Sequence, residues 1–71
     1  MKEYLVIFEK GETSWGAHAP DVPGCIAVGE TQEEVELLFR EALEMHMEAL
    51  RGQGEPIPEP TTRARLVSVA A

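Results

Sequence analysis

The sequence predicts an α+β fold in which one helix packs on a four-stranded sheet, with the elements in the order β-β-β-α-β. Three observations lead to this prediction. Three short segments rich in β-branched, aromatic or alternating apolar residues precede residue 30, and one long segment with helical spacing follows them. A further alternating segment lies near the end. With 71 residues, the chain is expected to form one domain over residues 1–71.

The first three strands are predicted to form an antiparallel meander, because each is separated from the next by turn-forming residues. The first strand is apolar on both faces, with Leu5 and Ile7 on one side and Tyr4, Val6 and Phe8 on the other, which favours a central position in the sheet. The predicted segments are the strands Glu3–Glu9, Ser14–Ala19 and Cys25–Val28, with turns at Lys10–Thr13 and Pro20–Gly24.

The helix is predicted from its start, its stop and the spacing of its apolar residues. Thr31 and Glu34 have the spacing of a capping box, in which each side chain accepts a hydrogen bond from the other residue's amide. Gly52 is the expected stop. Apolar positions separated by three or four residues are expected to face the sheet. These positions are Val35, Leu38, Phe39, Ala42, Met45, His46 and Ala49.

The segment after the helix predicts a connector and a fourth strand. Gln53–Pro60 contains Pro56, Pro58 and Pro60, so it is expected to be extended and not helical. Arg63–Val69 alternates sufficiently for a strand. With the helix as a right-handed crossover, that strand is expected to lie parallel to the first or the third.

A second apolar stripe on the helix, formed by Leu43, Met47 and Leu50, makes its apolar arc wider than one sheet requires. Two interpretations remain open: the edge strands curl to cover the stripe, or it is exposed and contacts another subunit. Leu5 and Ile7 lie on the sheet face that no helix covers. The predicted oligomer or partner interface therefore comprises Leu43, Met47, Leu50, Leu5 and Ile7.

Composition indicates which partners the chain has. Six basic and thirteen acidic residues give a formal net charge of -7, which repels nucleic acid and favours basic proteins. A domain this small needs a disulfide, a metal or another subunit to supplement its core. Its single cysteine excludes an internal disulfide, so a homo-oligomer, a dimer or tetramer, is predicted. No segment is long and apolar enough for a membrane span, and the cytoplasm is the expected compartment.

Catalytic and metal sites are weakly indicated. Cys25 and His18 would provide a thiol and a base, but nothing orients the histidine, and a lone cysteine is more often a buried apolar residue. His18 and His46 are far apart and form no paired metal-binding motif. Acidic residues at strand ends are more simply explained as solvated surface. We therefore predict no enzyme, no metal and no cofactor.

Several motifs together resemble the N-terminal domain of the HicB antitoxin family. They are Asp21-Val22-Pro23-Gly24-Cys25, Gly29-Glu30-Thr31, Arg40-Glu41-Ala42-Leu43 and Gly54-Glu55-Pro56-Ile57-Pro58-Glu59-Pro60, in this order along nearly the whole chain. The resemblance implies a partial ribonuclease-H-like fold without the nuclease carboxylates. It also implies that Asp21, Pro23, Gly24 and Cys25 shape the turn between two strands.

The same resemblance implies a partner, a basic HicA-type toxin that cuts messenger RNA. Such an antitoxin would neutralise the toxin by covering its active surface. Many HicB proteins carry a C-terminal DNA-binding domain, which is not expected in residues 1–71, so no direct binding to nucleic acid is predicted. Two alternatives remain: a small degenerate hydrolase that uses Cys25 and His18 or the acidic residues at strand ends, and a structural subunit with no toxin partner.

Overall fold

The computed structural model describes residues 1–71 as a three-stranded antiparallel sheet with one helix packed on it. The strands lie side by side in chain order, and the helix follows the third. The predicted α+β class, the meander and the single helix are therefore confirmed. The elements are β1 (Ile7–Lys10), β2 (Trp15–His18), β3 (Ile26–Gly29) and α1 (Gln32–Gly52).

The register of the strands separates a core face of the sheet from an outer face. Phe8 lies opposite Ala17, which lies opposite Ala27, and all three contact or belong to the hydrophobic core. Because side chains alternate along a strand, the next row of partners projects from the outer face, where no element packs. That row contains Ile7, His18 and Ile26.

The predicted fourth strand, Arg63–Val69, is absent, and this corrects the predicted four-stranded sheet. Residues 61–71 belong to no helix or strand, and every one of them is exposed. Alternation shows that a segment can fit a sheet, but a strand exists only where a neighbouring strand accepts its backbone hydrogen bonds. Within the single chain no strand lies beside residues 63–71.

The first strand is also shorter than the predicted Glu3–Glu9, since pairing begins only at Ile7 and extends to Lys10. Tyr4 and Val6 nevertheless pack against the core. The Tyr4 hydroxyl donates a hydrogen bond of 2.6 Å to the carbonyl of Pro58. The connector therefore lies against the segment that precedes β1.

The core lies between the helix and the sheet, with a second part under the loop before β3. Val22 and Val35 are fully buried, and Phe39 is 2% exposed. The loop residue Val22 lies in a turn in which its amide donates to the Ala19 carbonyl at 3.0 Å and its carbonyl accepts from the Cys25 amide at 3.4 Å. The remaining members of the core are Ala17, Ala19, Cys25 and Met47.

The helix ends are built from local hydrogen bonds. The Thr31 hydroxyl accepts a 3.1 Å hydrogen bond from the amide of Glu34, as predicted, although the return bond of the capping box does not form. At the other end the helix stops at Gly52, as predicted, and the residue in the left-handed conformation is Gly54, with φ of 71°. The amide of Glu55 donates to the Leu50 carbonyl at 2.9 Å, which is the bonding pattern of a Schellman motif.

Replacing Thr31 with alanine should lower the free energy of unfolding by about 1 kcal/mol, because an exposed helix amide loses its acceptor. Urea denaturation at fixed protein concentration would measure the change. Thr13 is a matched control, since it is exposed and its side chain makes no hydrogen bond. Equal stability of the two alanine variants would contradict the prediction.

No helix of the structure is long and apolar enough to cross a membrane.

Candidate protein-binding surfaces

The carboxylate of Asp21 fixes the point at which the C-terminal segment leaves the domain. It accepts hydrogen bonds from the backbone amides of Thr61 and Thr62 at 2.9 and 2.8 Å. It also accepts bonds from their hydroxyls, at 3.1 and 2.7 Å. We refer to the residues beyond this anchor, 63–71, as the tail. None of their polar groups forms a hydrogen bond with the rest of the chain.

The turn that carries Asp21 lies between β2 and β3. Gly24 has a φ of 86°, a conformation that residues with a side chain rarely adopt. The amide of Val22 donates to the Ala19 carbonyl at 3.0 Å, which closes the turn and leaves Asp21 facing the connector. The motif therefore shapes the chain between β2 and β3 and, in addition, holds the start of the tail.

Hydrogen bonds from Thr62, and then from Thr61, hold the pKa of Asp21 below its ordinary value of 3.8. Because the pKa of Asp21 is lower in the folded chain than in the unfolded chain, its hydrogen bonds to Thr61 and Thr62 stabilise the fold fully above pH 3.8. That stabilisation is lost as the pH falls through the lowered pKa. We therefore expect the amide resonances of Thr61 and Thr62 to shift with a midpoint below pH 3.8. The variant Asp21→Asn should abolish that titration, whereas Glu59→Gln should leave it. A titration midpoint at or above pH 3.8 would contradict the prediction that these hydrogen bonds lower the pKa of Asp21.

The solvent side of the helix carries a cluster of carboxylates around one apolar side chain. On a helical projection with about 100° per residue, Leu37 lies at the centre of this side and is 60% exposed. All the surrounding glutamates are exposed. We call the group the acidic helix face; its carboxylates are Glu33, Glu34, Glu41, Glu44 and Glu48.

A second surface surrounds the free edge of β3. On the outer face of the sheet Ile26 and Val28 are 68% and 62% exposed. On the helix side Leu38 and Met45 are 39% and 69% exposed. Met45 and Ile26 line the same shallow hollow beside this edge. We call these four residues the β3 edge surface.

The residues predicted to form an interface occupy different surroundings. Met47 is buried, and Leu43 and Leu50 pack against the core. Leu43 and Met47 line a groove between the helix and the N-terminal segment. Leu5 and Ile7 are half-buried near the outer face. A role for this set in an interface stays a prediction, whereas the β3 edge surface was missed.

Cys25 and His18 are not brought together. Ile26 and His18 are partners in the register and project from the outer face, whereas the adjacent Cys25 is buried in the core. Burial raises the pKa of the Cys25 thiol, which disfavours the thiolate that a nucleophile requires. The nearest charged group to His18 is Glu9, with 3.7 Å between Nδ1 and Oε1.

No group of three or more histidine, cysteine, aspartate or glutamate side chains is placed to hold a metal ion. His46 lies on the helix beside Met45, while His18 projects from the outer face of the sheet. The sheet therefore separates the two histidines. The acidic residues at the strand ends do not converge into a site either.

The acidic helix face and the β3 edge surface are thus candidate binding surfaces, and comparison with known proteins gives the family. A family model described as the HicB-like antitoxin of a bacterial toxin-antitoxin system matches residues 4–70. The chain belongs to the HicB-like antitoxin family. The match includes most of the tail, so the exposed residues after the anchor are part of what the family model describes.

Individual relatives place this HicB-like chain among proteins from bacteria, an archaeon and a phage. It is 33% identical over 60 residues to a protein named Antitoxin HicB 2 of Photorhabdus laumondii, covering 84% of this chain and 43% of that protein. It is 33% identical over 57 residues to a UPF0150 protein of Thermoplasma acidophilum, covering 79% and 83%. A 14.9 kDa protein of Haemophilus phage HP1 is 34% identical over 56 residues, covering 79% and 42%.

The HicB-like chain spans less than half the length of the phage and Photorhabdus relatives, but most of the Thermoplasma protein. No solved structure matches it significantly.

Proposed function

We propose that this HicB-like chain is an antitoxin module of the cytoplasm, which binds a basic HicA-type toxin and covers the surface that cleaves messenger RNA. Membership of the antitoxin family supports the role. The observation that carries the proposal is the acidic helix face, an exposed leucine surrounded by carboxylates. Five of the thirteen acidic residues lie on this side of the helix, against two basic residues, Arg40 and Arg51.

Electrostatics favours this surface for such a partner. A protein that binds RNA does so largely through lysine and arginine side chains that neutralise phosphates. A rigid row of carboxylates on a helix presents the opposite charge at similar density, which accelerates encounter and suppresses acidic competitors. Leu37 at its centre supplies the apolar contact that the middle of an interface requires, while the glutamates form the polar rim.

Binding, and not catalysis, is the activity that the geometry supports. The only thiol is buried with a raised pKa, and the candidate base projects from the opposite face of the sheet. Cys25 and His18 therefore do not form a nucleophile in contact with a base. We therefore propose that the chain acts by occupying a surface of its partner.

The test uses a basic HicA-type toxin, purified separately, with a messenger RNA substrate. The toxin alone should cleave the RNA, and addition of this chain should stop cleavage at equimolar concentration. The chain alone should leave the RNA intact. Cleavage by the chain alone, or undiminished cleavage in the presence of excess chain, would contradict the proposal.

A single substitution tests the surface. Leu37→Ala should raise the dissociation constant for the toxin about tenfold, as expected when an interface residue at a desolvated centre is truncated. Thr13→Ala is the control, because Thr13 is exposed and lies in the turn between β1 and β2. Isothermal titration calorimetry gives both constants. A Leu37 variant that binds as tightly as the control would show that another surface contacts the toxin.

A further inference from the structure

We infer that the β3 edge surface binds the tail of a second copy of this chain as an added strand, so that two copies exchange their tails in a dimer. The inference does not depend on the toxin. It combines the tail and the β3 edge surface, both of which carry exposed apolar side chains in the single chain. The proposed contact of the helix with a toxin explains neither of them.

The tail is the first of these surfaces. Leu66, Val67 and Val69 are 100%, 76% and 78% exposed, although they are among the most apolar residues of the chain. Leu66 projects to one side of an extended backbone and the two valines to the other, so the tail is apolar on both faces. The radius of gyration is 14.0 Å, whereas a compact chain of this length has about 11 Å. The tail therefore extends away from the domain.

The edge of β3 is the second surface. Exposed apolar side chains flank it on both faces, with Ile26 and Val28 on the outer face and Leu38 and Met45 on the helix side. An unpaired edge of this kind binds an additional strand readily. A strand added beside β3 would pack one row of side chains against each pair. A tail that is apolar on both faces matches that requirement.

The other edge of the sheet, at β1, is less suited to accept the tail. The connector lies beside the segment that precedes it, through the bond from Tyr4 to Pro58 at 2.6 Å. The ammonium group of Lys2 also pairs with the Glu59 carboxylate at 2.8 Å. The apolar side chains near this edge, such as Leu5 and Ile7, are already half-buried.

Charge favours a second copy as the partner. All thirteen acidic residues precede residue 60, together with four of the six basic ones, whereas the tail carries Arg63 and Arg65 and no carboxylate side chain. The domain is thus strongly acidic and the tail basic, so the tail of one copy is attracted to the domain of another. The Asp21 anchor holds the start of the tail while its remaining residues stay free to cross to the partner, as in other exchanged dimers.

The first measurement is sedimentation velocity of the full chain over a range of concentrations. The wild-type chain should be a dimer. Leu66→Glu in the tail, or Val28→Glu at the edge, should each raise the dimer dissociation constant about 100-fold or more, because each substitution acts at both junctions of the dimer. Leu37→Glu is the matched control, an exposed leucine outside both surfaces, and its dimer should persist. A monomeric wild-type chain would overturn the inference.

Mixing the two variants separates exchange from other arrangements. A chain with Leu66→Glu keeps its edge, and a chain with Val28→Glu keeps its tail, so a heterodimer retains one intact junction and each homodimer retains none. The mixture should therefore associate more strongly than either variant alone. No gain on mixing would contradict the exchange.

Hydrogen exchange identifies what covers the tail. In the wild-type dimer the amides of residues 64–69 should be protected, and dissociation by Val28→Glu should expose them. Protection that persists in a monomer would show that the tail pairs with its own chain. Protection that requires addition of the toxin would show that the toxin is the partner. Either result would overturn the inference.

Discussion

Replacing Phe39 with alanine should unfold a large fraction of the chains at 25 °C. Phe39 is 2% exposed and lies in the core beside the fully buried Val35. Truncation of a buried phenylalanine costs about 3–5 kcal/mol, from lost transfer energy and from the cavity that remains. Small single domains are stable by only about 5–15 kcal/mol. At this chain length the value is expected near the lower limit, so the loss removes most of it.

The measurement is urea denaturation followed by circular dichroism, at one protein concentration for all variants because self-association shifts apparent stability. Leu37→Ala is the control, since it truncates an apolar side chain of the same helix at a position that is 60% exposed. The control should change stability by less than about 0.5 kcal/mol. A Phe39 variant that loses less than about 1 kcal/mol would mean that the helix does not pack on the sheet as described.

The helix was predictable because the signals that determine it are local. Thr31 supplies an acceptor to an amide three residues away, and the apolar spacing follows from the helical repeat itself. The stop at Gly52 was also predicted, but the left-handed residue was not, because two glycines, Gly52 and Gly54, lie at this end of the helix. Gly52 lies within the helix, and Gly54 adopts the left-handed conformation. Only the hydrogen bond from Glu55 to Leu50 distinguishes them.

The fourth strand was not predictable in the same way. Alternation in Arg63–Val69 is a property of those residues alone, but a strand requires a partner that lies elsewhere in space. The single chain provides none. The same limitation explains the second apolar stripe of the helix, where the sequence left open whether Leu43 and Met47 are covered. Burial of Met47 depends on the N-terminal segment and on the connector, two parts of the chain distant from it in sequence.

For the candidate surfaces, too, local features were predictable from the sequence and features that depend on distant residues were not. The resemblance implied that Asp21 shapes a turn together with Pro23, Gly24 and Cys25. Its four hydrogen bonds to Thr61 and Thr62 join residues forty positions apart, which no local pattern indicates. The exposed pair Ile26 and Val28 was also missed, since a short apolar strand has the same sequence whether or not its outer face is covered.

Neutralising three carboxylates of the acidic helix face, with Glu41, Glu44 and Glu48 changed to glutamine, should slow association with the basic toxin about tenfold or more at low salt. Charges at an interface steer the encounter of two proteins, and their removal lowers the association rate more than it raises the dissociation rate. Stopped-flow measurement of the association rate gives the effect. At about 1 M salt, where the screening length is about 3 Å, the rates of variant and wild type should converge.

A second triple variant distinguishes the helix surface from net charge. Changing Glu9, Glu12 and Glu55 to glutamine also removes three of the thirteen negative charges, which takes the net charge from -7 to -4 in both variants. If the toxin approaches the helix, the off-helix variant should retain most of the wild-type rate, because steering falls off within about 10 Å at 0.1 M salt. Equal slowing of both variants would mean that overall charge attracts the toxin and that the helix is not where it binds.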